Sequence, residues 1–191
     1  ETEIFDCRRN DRTHYQLVGW PGFIGAFSGV APGRFAVTLN AVLSDDAACI
    51  AEPVVFLLRR VLDEASSFDD ALRVLSTAPI ASDCLLLLSG VREGEFVVIE
   101  RTPARVAVRR PSNGSIDVTN DYRLLEIAKP DHGELAQTSC LRSARLRERL
   151  TNERPLIDAY DLLSAERVKM TITVQQMVFC AATGRCDVRL P

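Results

Sequence analysis

The chain has 191 residues, 47% of them hydrophobic and 26% charged, a balance that suits one globular domain over residues 1–191 with a substantial core. Its net charge of −3 comes from 23 basic and 26 acidic residues and provides no global field for nucleic acid. No apolar run approaches the ~20 residues of a membrane-crossing helix, and Glu1-Thr2-Glu3 lacks the basic start of an export signal, so a cytoplasmic protein without a membrane span is expected.

In chain order, residues 3–9 read as a short mixed strand, residues 14–20 as a second and residues 34–42 as a third, with β character concentrated in Phe35-Ala36-Val37-Thr38-Leu39. The segment between the last two holds Gly19, Gly22, Gly25, Gly29 and Gly33, where missing side chains permit tight turns and close approach of backbone to a ligand. Pro53 opens a helix with Val54, Leu57, Leu58, Val61, Leu62 and Ala65 at helical spacing. Ser67, with Asp70 three residues on, starts a second helix that runs through Leu75 and stops at Pro79.

Strands return over residues 84–89, 95–101 and 105–109 as an antiparallel meander, and Asn113-Gly114 predicts a further hairpin. A polar linker with Pro130, His132 and Gly133 leads to an arginine-rich helix through Leu141, Leu146 and Leu150. A helix over residues 156–163 and a hairpin over residues 171–179 and 186–190 close the chain. Helices and antiparallel strands thus fall in separate blocks, an α+β order suited to sheets stacked between helix layers.

Six cysteines without a C-x-x-C pair suggest neither a zinc site nor a redox motif, and no metal or cofactor is expected. Only Cys180 and Cys186 have a spacing that could close a hairpin bridge. Cys7, beside Arg8 and Arg9, with His14 as base, is a weak nucleophile candidate because no third group is placed. His132 reads as a solvated loop residue rather than a catalyst.

Three segments in fixed order carry a family resemblance: the glycine-rich stretch and strand over residues 15–40, ending in Asn40; Thr119-Asn120-Asp121-Tyr122; and Ser139-Cys140-Leu141-Arg142 at a helix start. Together they resemble the N-terminal-nucleophile hydrolases of the choloylglycine hydrolase, acid ceramidase, N-acylethanolamine acid amidase and penicillin acyltransferase kind. The resemblance implies an αββα four-layer sandwich with two mainly antiparallel sheets. It also implies hydrolysis or acyl transfer at a linear C–N amide of a small N-acyl amine, through a cysteine thioester.

Fixed N–H donors stabilise the oxyanion of such a reaction. By resemblance, Asn120 is the oxyanion donor, Asn40 a second site asparagine, and Arg142 the cation steadying the network around the α-amino base. Outside that set, an asparagine after a strand is ordinarily a turn former and a helix arginine a solvated face. Arg145, one turn on, would exchange with Arg142 if the helix register shifted. Trp20 and Phe23, with Gly29 among the neighbouring glycines, are candidates for an acyl pocket, core burial being as good a reading of the aromatics.

The resembled family exposes its cysteine at a new N-terminus, followed by an Arg and an Asp, and no such opening occurs in this sequence. The nucleophile-bearing strands are therefore expected to lie outside the chain, on a separate N-terminal peptide or a longer precursor. The alternative is a catalytically inactive binding protein that keeps the fold and the acyl pocket. A homo-oligomer is a further partner expectation.

Overall fold

The computed structural model describes residues 2–111, 113–127, 133–152 and 158–190. Seven strands, β1 (Glu3–Arg9), β2 (Arg12–Gly19), β3 (Ser28–Ala31), β4 (Phe35–Asn40), β5 (Cys84–Ser89), β6 (Phe96–Arg101) and β7 (Val106–Arg109), form one sheet in the order of the chain. Every neighbouring pair is antiparallel. The strand expectations for residues 3–9, 84–89 and their neighbours hold to within a residue or two.

β3 was not expected, because its glycine-rich surroundings read as turns. Gly29 is there for close packing: a Cβ on it would lie 2.6 Å from the Gln16 carbonyl and 2.7 Å from Leu62. The bare backbone lets the helix α1 (Val54–Glu64) sit directly on the strand.

α1 and α2 (Phe68–Thr77) cover one face of the sheet. Leu57, Leu58, Val61 and Leu62 of α1 and Ala71 and Leu75 of α2 are buried against Leu17, Val37, Leu86, Leu88, Val97 and Ile99, which alternate along their strands onto the helix-covered face. Pro53 is the N-cap of α1, and Ser67 accepts from the Asp70 N–H to cap α2, as expected. The carbonyls at the other ends are met by arginines reaching from the sheet side. Arg34 donates to the carbonyls of Ala65, Leu62 and His14, and Arg101 to those of Leu75 (2.5 Å) and Ala78 (2.8 Å).

On the opposite face, the hairpin β8 (Gln176–Cys180) and β9 (Arg185–Arg189) packs against β3, with Ala181 and Phe179 on Val30 and Ala36, and α5 (Ala159–Ser164) packs on β8. The layers are therefore helix, seven-stranded sheet, two-stranded sheet, helix, an α+β arrangement with the expected layer order. Between β7 and α5 run α3 (Gly133–Gln137) and the arginine-rich α4 (Ser139–Asn152).

Asn113 and Gly114 make a tight turn with positive φ of 53° and 69°, and Ser115 just beyond it sits in a lone β-bridge rather than in a longer strand. Cys180 and Cys186 are free thiols: Cys186 pairs with Phe179 and Cys180 with Arg185, so the cysteines sit one register step apart and their side chains leave opposite faces of the hairpin. Pro130, His132 and the start of the helix expected at residue 156 lie outside the described residues; α5 begins at Ala159, capped by Asp158. Among the described residues no helix is long and apolar enough to cross a membrane.

Candidate functional site

A groove of about 510 Å³ opens on the sheet face away from α1 and α2. Ser28, Thr38 and Leu87 form a cross-strand row in its floor, and Asn40 ends β4 at its rim. Val118, Thr119 and Arg142 line one side, while Leu162, Leu163, Met177 and Phe179 contribute apolar wall. A mostly apolar groove with a few placed polar groups is the usual form of a small-molecule site.

Asn120 and Arg142 are joined directly: the Arg142 Nη2 donates to the Asn120 side-chain oxygen at 2.7 Å and to the Leu135 carbonyl at 2.7 Å, and its Nε to Thr138 Oγ1 at 3.1 Å. Arg142 is 8% exposed; burial lowers its pKa, with Asp121 and then Glu134 pulling it back up. The Asn120 amide nitrogen donates at 2.6 Å to the carbonyl of Ala41, the residue after Asn40, and an amide nitrogen has a second N–H to give. The Asn120 backbone N–H donates to Ser139 Oγ (2.8 Å), which donates in turn to Thr119 Oγ1 (2.8 Å). The two conspicuous segments, Thr119-Asn120 and Ser139 to Arg142, thus interlock residue by residue. Arg145 instead pairs at the surface with Glu148 at 2.8 Å, which distinguishes it from Arg142.

The loop bearing Asn120 is tied down by a residue that sequence reasoning missed. Glu100 is fully buried on β6, in the same cross-strand row as Asn40 and Leu85, and its Oε2 accepts the backbone N–H groups of Arg123 (2.9 Å), Leu124 (2.9 Å) and Leu125 (3.2 Å). Tyr122 adds a hydrogen bond to the Arg101 carbonyl at 2.9 Å. The available signal was an acid closing the otherwise apolar run Phe96-Val97-Val98-Ile99. Lys169, Gln175 and Gln176, which also line the groove, were not singled out.

The other expected pocket residues lie elsewhere. Trp20, Phe23 and Phe27 form an aromatic cluster, with Phe23 stacked on Phe27 at 4.9 Å, and neither Trp20 nor Phe23 lines the groove. Phe27 instead borders a neighbouring cavity with Leu39, Ala41 and Val54. Gly29 faces α1 on the reverse of the sheet. Cys7 lies opposite Tyr15 in the β1–β2 register, while His14 is held by the Asp63 carbonyl at 2.5 Å and not by Cys7. No group of ligating side chains that could hold a metal ion occurs among the described residues.

Residues 6–171 match the family described as Acyl-coenzyme A:6-aminopenicillanic acid acyl-transferase. The chain belongs to that family. It is 30% identical over 111 residues to the acid ceramidase of Bos taurus and 29% to that of Balaenoptera acutorostrata scammoni, alignments that span 52% of this chain and 28% of those relatives' length. An N-acylethanolamine-hydrolyzing acid amidase ortholog of Caenorhabditis elegans superposes with a TM-score of 0.75 at 22% identity, over 93% of this chain and 79% of that one. A variant of the conjugated bile acid hydrolase from Clostridium perfringens gives a TM-score of 0.63 at 13% identity, covering 92% of this chain and 76% of that one. The fold is that of the N-terminal-nucleophile hydrolases, and this member of the acyl-transferase family shares its architecture with them.

Proposed function

We propose that the chain forms the oxyanion site and acyl groove of an amide hydrolase or acyltransferase that acts on linear N-acyl amines through a cysteine thioester. The observation that carries this reading is the Arg142–Asn120–Ala41 chain of hydrogen bonds, in which Arg142 lines the groove and a side-chain amide is fixed beside it with one N–H remaining. No cysteine among the described residues lines the groove; in this reading the nucleophilic thiol is supplied from outside this chain.

In the proposed reaction a thiolate attacks the amide carbonyl, and the carbonyl π electrons move to oxygen. Asn120 donates its remaining N–H to that developing anion, in a site where the donor is already oriented and loses no freedom when charge appears. The C–N bond then breaks, the amine leaves with a proton, and the thioester is resolved by water or by a second amine. Arg142 acts as a positioning residue: its cation polarises the Asn120 carbonyl and so makes the amide N–H a better donor. The apolar walls at Leu162, Leu163 and Met177 suit an acyl chain.

The test is turnover of a chromogenic N-acyl amide by the full-length protein, together with thiol-probe labelling of its processed N-terminus. Turnover and labelling of a single N-terminal cysteine support the reading. A folded full-length protein that binds the amide but neither labels nor turns over would be a binding protein on the same scaffold and would overturn it.

A further inference from the structure

A second cavity, of about 380 Å³, is lined by Arg109, Arg110, Arg123 and Arg147 together with Ser115 and Asp117, the last being the chain neighbour of Val118 in the groove. Four arginines thus border a space of small-molecule size, Arg147 from its open side with its side chain 56% exposed. The carboxylates set against them are two: Asp117 in the lining, and buried Glu100, whose Oε1 is 3.6 Å from Arg109 Nε. Among the described residues this leaves an excess of positive charge where the side chains of Arg109 and Asp117 are only 19% and 9% exposed.

The hydrogen-bond state sharpens the imbalance. Arg123 Nη2 is a buried N–H group with no hydrogen-bond partner, and Arg109 Nε has only Glu100 Oε1 facing it at 3.6 Å, beyond hydrogen-bond reach, a state that buried donors keep only at a cost in stability. Glu100 already accepts three backbone N–H groups on Oε2. Asp117 is likewise engaged, its carboxylate by Ser143 and by Arg147 Nε at 3.3 Å, its carbonyl by Arg109 at 2.5 Å. Burial lowers the pKa of Arg109; Asp117 and Glu100 oppose this, and Arg123 and Arg147 add to it by repulsion. Clustered cations with spare, forked donors are what a doubly charged oxyanion satisfies.

The geometry points to this cavity as a binding site for the phosphoryl group of a small molecule, held by Arg109, Arg123 and Arg147 with Arg110 at its exposed edge. A dianion matches the excess charge, and planar guanidinium forks suit tetrahedral phosphate oxygens. Ser115, Asn113 and Thr151 supply uncharged polar lining for the rest of such a ligand. The site shares α4 with the groove: Arg147 is five residues beyond Arg142, about 7.5 Å along the helix. The inference rests on this cavity and not on the reaction proposed above, so either can fail without the other.

The test is isothermal titration calorimetry of the full-length protein with inorganic phosphate and pyrophosphate as probes, malonate as the dicarboxylate comparison, at fixed ionic strength and near-neutral pH. Saturable binding of either phosphoryl probe is expected, weakened about tenfold or more by Arg123→Gln and by Arg147→Gln. Preference for pyrophosphate over phosphate would place a diphosphate in the site, and the reverse a single phosphoryl group; both support it. Arg92→Gln, a surface arginine paired with Glu95 and outside the cavity, leaves binding unchanged. The proposal is overturned by no saturable heat up to about 10 mM probe, by equal binding in variants whose thermal unfolding matches that of the parent, or by malonate binding as tightly as phosphate.

Discussion

The Arg142 guanidinium reaches across 22 positions of chain to hold the side-chain oxygen of Asn120 at 2.7 Å, and the amide so oriented grips the backbone just past Asn40 at 2.6 Å. One buried cation therefore sets the rotamer of the amide proposed to meet the oxyanion.

Asn120→Asp keeps the shape and the Arg142 contact but replaces the N–H donor with an acceptor. Under the proposed function, kcat of the full-length protein on an N-acyl amide falls about 10²- to 10³-fold, the usual effect of losing one oxyanion donor, with KM changed much less. Steady-state kinetics on the purified variant, with circular dichroism to confirm folding, is the measurement. Unchanged kcat would remove Asn120 from the reaction.

Arg142→Met leaves the Asn120 oxygen, the Leu135 carbonyl and Thr138 without their charged donor. Breaking such a buried set costs about 2 to 4 kcal/mol of stability, read as a lower urea midpoint at similar m-value. Arg145→Met, which removes a surface pair, costs under about 0.5 kcal/mol.

Glu100→Gln retains one carbonyl oxygen for the three N–H groups of residues 123–125 but turns an amide toward Arg109. Amide hydrogen exchange at residues 123–125 should accelerate well before that of β5 and β6, because the loop's anchor loses its charge while the sheet keeps its ladder. Exchange that is unchanged there would mean that the loop is held by other contacts.

Gly29→Ala forces a methyl within 2.6 Å of the Gln16 carbonyl and 2.7 Å of Leu62, contacts made by backbone and by a core leucine. Overpacking of this kind costs about 1 to 3 kcal/mol, measurable as a drop in thermal midpoint. Since Gly29 faces α1, ligand affinity in the groove should be unaffected.

Thiol reactivity separates the cysteines by environment. Burial pushes the Cys84 thiol up to about 12 and Cys186 up to about 11, whereas hydrogen bonds from Thr183 lower that of exposed Cys180. A raised value means less thiolate at neutral pH and a lowered one more, so iodoacetamide near neutral pH alkylates Cys180 ahead of Cys186 and spares Cys84 in the native protein. Peptide mapping by mass spectrometry reads the order. Equal modification of Cys84 would place it at the surface.

Much of the fold was legible because local rules and burial agree. Apolar runs bounded by turn residues marked β5 and β6, helical spacing marked α1, and Ser67 announced α2 through the bond it makes to Asp70. β3 was hidden because Gly29 serves a contact with Leu62, 33 residues away, that turn preferences do not encode. The site was legible only in part. Asn40, Asn120 and Arg142 stood out by their segments; Asn40 and Arg142 line one groove, and Asn120 is hydrogen-bonded to Arg142 beside it. Trp20 and Phe23 were conspicuous by type alone, and they pack on Phe27 instead. Glu100 showed only as an acid closing an apolar run, because its role depends on a loop more than 20 residues further on folding back over β6.

The chain-order meander of the large sheet bears on how the protein assembles. Each of its six pairings joins strands adjacent in sequence, so hairpin-like zippering can build most of the sheet at low contact order, interrupted only by the excursion through α1 and α2. Ties such as Asn120 to Ala41 and Thr2 to Gln175 close loops 79 and 173 positions long. Their closure entropy makes them late events in folding, and the groove is therefore completed after its floor is built.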